Sequence, residues 1–230
     1  DPLLIGRESK QRQNYPYSDV WTGTALPLMD LSDASTETSC DGWNMGRWPD
    51  PILRRSATAV DKQYFGTEIL QRACRLLEAT ATTNSAVGLA AQQCGIDARI
   101  VYLEKSKPIT MVNPHIIKRS PEADMLVWTE ECLVLPPTFR ATVLRDAWVD
   151  VEYYDWKGTL HQIHLKGEPA RAAQHELDHD RGILVLDHVG LEELQNDAMR
   201  ELEKDGHDER MLIAYSRDTF SPLSSRVQVS

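Results

Sequence analysis

The sequence predicts an α+β domain built mostly from antiparallel sheet. Three observations carry that prediction. A helical period occupies Asp61 to about Ala79. Five short runs rich in Val, Ile, Tyr and Trp follow between Arg99 and Leu165, separated by turn signals. A second helix, carrying the pattern His-Glu-x-x-His, comes after the strands. Helix, then strands, then helix is a segregated order, and it favours hairpin-linked strands over an alternating parallel sheet. The expected architecture is mostly antiparallel sheets packed around a central helix carrying HExxH. An N-terminal extension and a C-terminal helix flank it.

Each element has its own signal. Residues 1–46 are polar and irregular, and Asp30 to Ser39 is rich in Asp, Ser and Thr, so this stretch reads as an N-terminal extension. Trp21, Trp43 and Trp48 are expected to pin it to the body, because large aromatic surfaces rarely stay free in water. Pro49-Asp50-Pro51 then punctuates the chain. In the first helix Phe65, Ile69, Ala73, Leu76 and Leu77 recur at three- and four-residue steps. Thr80 to Ser85 is a polar loop, and Gly88 to Gly95 is a small-residue segment.

The strands are expected at Arg99 to Glu104, Thr110 to Asn113, Met125 to Thr129, Ala147 to Tyr154 and Leu160 to Leu165. Lys107-Pro108, Asn113-Pro114 and Lys157-Gly158 mark turns between them. Val149, Val151 and Tyr153 alternate with Asp150, Glu152 and Tyr154, as a half-buried strand should. The second helix runs from Pro169 or Ala170 to Asp180, with Gly182 as its stop. Gly182 to Asp187 reads as a strand. Leu191 to Lys204 reads as an amphipathic helix with Leu191, Leu194, Ala198 and Leu202 on one side. The chain therefore divides into an extension at 1–46, a body at 47–190, and a C-terminal helix and tail at 191–230.

Composition narrows the function. The 230 residues suit one domain with extra length, and 41% apolar with 26% charged residues is ordinary for a soluble globular protein. A net charge of −10 argues against nucleic-acid binding, which needs clustered Lys and Arg. No run of 18 apolar residues exists to span a membrane. The four cysteines form no CxxC pair and are too sparse for a disulfide framework, so a reducing compartment is expected. Cys40, Cys74 and Cys94 read as inert thiols, His161 and His164 as surface residues.

The chemistry lies in His175-Glu176-Leu177-Asp178-His179. Residues four apart share one helix face, so His175 and His179 can reach one metal ion. Glu176 sits one step round, where it can meet a water on that ion without being a ligand. A catalytic centre of this kind takes a third protein ligand. The third-histidine pattern fails here, because position 185 is Val. His188, Glu192 and Cys132 remain as candidates.

Three ordered motifs resemble the peptide deformylase family. They are Ala86-Val87-Gly88-Leu89-Ala90-Ala91-Gln92-Gln93, Glu130-Glu131-Cys132-Leu133-Val134, and Gln174 to His179. Pro49-Asp50-Pro51, Ala170-Arg171 and Gly182-Ile183-Leu184 support them, and the resemblance covers roughly 47 to 190. It implies a hydrolase that removes the formyl group from an N-terminal methionine and releases formate. It implies Cys132, His175 and His179 as metal ligands and Glu176 as the general acid and base. Gln93 and the Leu133 N–H would hold the oxyanion, and Val87 and Gly88 would pair with the substrate backbone. Glu130 and Arg145 would form a structural ion pair. The implied ion is Fe(II) natively, with Zn, Ni or Co as substitutes.

The implied partners are N-formyl-methionyl peptides, met near the ribosome, with no nucleic acid and no membrane. The extension and the first residue, Asp1, lead to the expectation of a mitochondrial or other organellar protein, otherwise a cytoplasmic one.

Four positions depart from the family pattern. Ala86 and Glu131 replace glycines, Gln92 replaces a proline, and Val134 replaces a serine. Glu131 should place a carboxylate on the cleft wall and alter peptide preference. The alternative to an active deformylase is a divergent, weakly active or inactive homologue acting as a binding protein.

Overall fold

A computed structural model describes residues 29–34, 42–136 and 139–188. Its first long helix, α1, is Glu68–Thr83. Thr67 caps it by accepting from the Leu70 N–H, and Glu68 lies in the first turn, where a carboxylate suits the positive helix end. Three strands follow in order: the short β1 (Gly88–Ala90) and β2 (Ile100–Leu103) and the long β3 (Ile109–Arg119). β4 (Leu126–Glu130) and β5 (Ala141–Arg145) form a separate pair. β6 (Trp148–Tyr154) and β7 (Leu160–Lys166) lead into α2 (Glu168–His179).

The main sheet has the order β1-β2-β3-β6-β7, and every pairing in both sheets is antiparallel. The expected α+β class and antiparallel sheets hold. β2 shows why the core closes as it does. Ile100 and Tyr102 pack with Leu70, Ala73 and Leu77 of α1. Val101 and Leu103 pack with Ala170 and Ala173 of α2. Strand alternation thus gives β2 two buried faces, one for each helix. A third cluster joins Cys132, Val134 and Leu135 to Val143 of β5 and to Leu184, Val185 and Leu186.

Several expectations need correcting. α1 starts at Glu68, because Asp61 instead caps a short 3-10 turn over Lys62–Tyr64 and Gly66 breaks the chain with a φ of 76°. β3 does not stop at Asn113. Asn113 takes a φ of 51° inside a register shift, its side chain bonds the Val60 N–H and C=O, and the strand continues past Pro114 as a bulge. β1 and β5 were not expected as strands. Gly182 to Asp187 is not a strand: it is a turn followed by a 3-10 helix at Val185–His188. The Asp187 carboxylate accepts from the Leu184 N–H and from Arg54, which fixes that turn.

The described part of the extension is packed. Met29 pairs with Ile96, and Leu31, Ala34 and Trp43 are buried in the first cluster. Trp48 packs on the third. Trp21, Cys40, Glu192 and the expected helix from Leu191 to Lys204 lie outside the described residues. Among the described residues no helix is long and apolar enough to cross a membrane.

Candidate metal centre

His175 and His179 are one turn apart on α2, and both are buried. Cys132 lies two residues past β4. Its Sγ is 3.3 Å from His179 Nε2, which is 3.3 Å from His175 Nε2. All three ligand atoms fall within 4.8 Å of one another. A tetrahedral ion with a bond of about 2.3 Å to sulfur and about 2.05 Å to nitrogen would hold such atoms roughly 3.3–3.6 Å apart. The spacing fits a shared divalent ion.

The His175 tautomer fits as well. His175 Nδ1 lies 2.8 Å from Glu130 Oε2, so it carries the proton and Nε2 is left with a lone pair. Glu130 is itself clamped by Arg145, whose Nε and Nη2 donate at 2.8 and 3.0 Å. The Arg145 Nη1 donates to Asp178 at 2.6 Å, and His188 Nε2 reaches the same oxygen at 2.7 Å. His188 is thereby held on Asp178 and away from the ligand cluster, so it is not the third ligand.

Burial sets the charges. It would raise the Glu130 carboxyl, but the hydrogen bonds from His175 and Arg145 outweigh it and bring the group down to about 2. Burial pushes the Cys132 thiol up to about 12, and burial with the neighbouring His175 drives His179 well below the usual imidazole value. A divalent ion beside that sulfur would reverse its direction. Burial also raises Glu176 well above the ordinary carboxylate value, against the nearby Arg171.

Glu176 is buried, and its Oε2 has no hydrogen-bond partner. Gly88 makes room for it: a Cβ on Gly88 would lie 2.6 Å from Glu176 Oε1. Gln93 is oriented by the Ala90 N–H, which donates to its Oε1 at 2.8 Å. That leaves the amide Nε2 turned inward, 3.2 Å from His179 Nε2. These groups form the floor of a cleft of about 560 Å³.

Val87, Gly88, Gln93, Glu131, Cys132, Leu133, His175 and Glu176 all line that cleft, so the structure brings the expected site residues together. His179 lies just beneath, 1% exposed. One wall is β1, an edge strand of the main sheet. The Glu104 N–H donates to Val87 O on the inner side, so ladder alternation turns the Gly88 N–H and C=O outward. Edge strands with outward backbone groups are templates for another chain.

Of the four departures, Gln92 and Val134 lie away from the cleft, while Ala86 and Glu131 line it. Ala86 and Val134 are buried, and the buried Gln92 donates to Ile52 O and Arg55 O. Glu131 is the one of the four that puts an exposed charge at the cleft mouth, where it pairs with Arg140 at 2.6 Å. Sequence reasoning placed Glu130 beside Arg145 but missed its bond to His175 and the role of Asp178. Those contacts span 45 and 33 residues, beyond any local pattern.

Comparison with known proteins agrees with this geometry. Residues 44–195 match the family model described as polypeptide deformylase. The peptide deformylase of Thermotoga neapolitana is 36% identical over 141 residues, covering 61% of this chain and 82% of that protein. The Acinetobacter baumannii class I type b peptide deformylase with Met-Ala-Ser bound is 28% identical with a TM-score of 0.61, covering 64% of this chain and 98% of that one. The Synechococcus elongatus enzyme in complex with actinonin is 25% identical with a TM-score of 0.64, covering 80% and 96%. The motifs, the antiparallel fold and the Cys/His/His cluster converge with these matches, and the chain belongs to the peptide deformylase family of metal-dependent enzymes.

Proposed function

We propose that this chain hydrolyses the formyl group from the N-terminal methionine of newly made peptides, releasing formate and a free amine. The observation that carries the reading is the convergence of Cys132, His175, Glu176 and Gln93 on the floor of one cleft, with His179 just beneath, beside an open strand edge. Cys132, His175 and His179 would hold a divalent ion, natively Fe(II), with Zn, Ni or Co as substitutes. When bound, that ion supplies Lewis acidity and acidifies a water molecule.

The protein's own groups do the rest. Glu176 accepts the proton from the attacking water and delivers it to the leaving amine. The Gln93 Nε2 and the Leu133 N–H donate to the formyl oxygen as charge develops on it, each such donor being worth about 10²–10³ in rate. The Gly88 backbone and the neighbouring Val87 align the peptide as an added strand. Glu131 borders that peptide path. The Met-Ala-Ser bound in the Acinetobacter baumannii relative supports a peptide ligand of this kind.

The test is formate release from formyl-Met-Ala-Ser, run anaerobically with Fe(II) or Co(II) at full occupancy. Stoichiometric formate is expected. A metal-saturated chain that releases none would assign it the role of a peptide-binding homologue.

A further inference from the structure

The Gly46–Trp48 segment precedes the Pro49-Asp50-Pro51 punctuation and belongs to no strand. It runs between the short 3-10 helix Ala91–Cys94 and the Cys132–Leu135 turn, which supply the proposed oxyanion donors. The Gly46 N–H donates to Gln93 O at 2.8 Å. The Trp48 N–H donates to Val134 O at 2.7 Å. Between them the Arg47 side chain reaches over and its Nη1 donates to Leu133 O. Three consecutive residues therefore tie the backbone of Gln93 to the backbone of Leu133 and Val134.

The packing is specific at both ends. Gly46 is buried, and a Cβ there would sit 3.0 Å from Ile52 Cγ2, 3.2 Å from a Leu53 methyl and 3.3 Å from Gln93 O. All three contacts are tighter than ordinary, so a side chain would push the segment away from the Gln93 carbonyl. Arg47 is exposed and lines the cleft, so it spends a mobile, charged side chain on one backbone carbonyl at the mouth. A charged donor makes a stronger bond to a carbonyl than a neutral one does. Within the Cys132–Leu135 turn the Leu135 N–H donates to Cys132 O at 3.0 Å, and Cys132, Val134 and Leu135 are buried, whereas the Leu133 carbonyl is held by Arg47.

We propose that Gly46–Trp48 is a positioning strap for the oxyanion donors, with Arg47 as its positioning residue. Arg47 sets where the Leu133 N–H points by holding the Leu133 carbonyl, while Gly46 sets the depth of Gln93. The proposal rests on the deformylase reading for its catalytic consequence, but the strap itself is a statement about loop order. Arg47 acts through Leu133 and is not itself placed on the reacting atoms. Misplacing one donor by a fraction of an ångström forfeits part of its contribution.

The experiment compares the full chain with Arg47→Met and Arg47→Lys. Two readouts are taken: amide hydrogen exchange of segment 132–135 in the metal-free protein, and steady-state kinetics with Co(II) bound. Arg47→Met is expected to speed exchange at 132–135 about tenfold while the α2 segment stays protected. It is expected to lower kcat about tenfold with KM within about twofold and bound metal unchanged, and Arg47→Lys should recover part of both.

Unchanged exchange overturns the strap. Faster exchange with unchanged kcat overturns the positioning role, and so does a kcat loss that tracks loss of metal. If the unaltered chain releases no formate, the deformylase reading fails, and the exchange arm still decides the strap.

Discussion

Glu130 and Glu131 are neighbours in sequence and opposites in circumstance. The Glu130 side chain is 0% exposed and holds Arg145 and the metal-facing His175. The Glu131 side chain is 59% exposed and, among the described residues, pairs with Arg140, itself 61% exposed. One residue step along an extended chain turns a side chain to the other face. The two carboxylates therefore divide the site into a dry inner wall and a wet rim. At the inner wall each charge has several fixed partners, and removing one leaves others buried and uncompensated. At the rim an exposed pair is worth about 0–1 kcal/mol. The inner wall should govern whether the ion is held, and the rim should govern which peptide is preferred.

That division can be broken in order of effect. Cys132→Ala should be the most severe: bound metal by elemental analysis and formate release should both fall to background. Full metal retention would instead point to a ligand set without the thiolate. Gly88→Ala comes next. Its Cβ would displace Glu176, so kcat should drop by about 10²-fold with the ion still bound. A silent Gly88→Ala variant would show that Glu176 does not need its present position.

Glu130→Gln should weaken metal affinity about 10–100-fold by loosening His175. The same variant has a pH signature in the metal-free protein. Glu130 is depressed in the fold, to about 2, so it contributes stability that is present above its ordinary value near 4.5 and lost as pH falls through about 2. Denaturant titrations between those limits should show a shallower acid decline in Glu130→Gln than in the unaltered chain. Parallel declines would mean the carboxylate is not held as described. Glu131→Gly should do least to the fold, with stability moving by less than about 1 kcal/mol. It should shift KM by about threefold, and in opposite directions for acidic and basic peptides. Kinetics unchanged across such a peptide series would remove Glu131 from the cleft.

The same inner and outer contrast explains what was readable in advance. The helix of His175 and His179 was legible because a four-residue step is a local geometric fact. Three ordered motifs then pointed to Cys132, which no spacing rule could have chosen over His188 or Glu192. The bonds from Glu130 to His175 and from Arg145 to Asp178 were not legible, since they join distant elements through tertiary packing. Elements failed for related reasons. Gly182 to Asp187 carries the apolar residues of a buried strand, yet Val185 and Leu186 lie in a 3-10 helix and are buried by packing on the β5 cluster. Apolar content alone cannot separate those cases. Asn113-Pro114 looked like a stop because such pairs usually are, whereas here the asparagine side chain takes up the Val60 backbone and lets the strand bulge and resume.

β1 has one more consequence. It presents main-chain groups to the cleft, and main-chain groups are the same in every polypeptide. In the proposed reaction, a peptide read this way is aligned without regard to what its side chains are. Such an edge gives tolerance: one site can serve the varied N-termini of a whole set of proteins. Any discrimination must then be added where side chains do meet, at the few charged positions around the mouth.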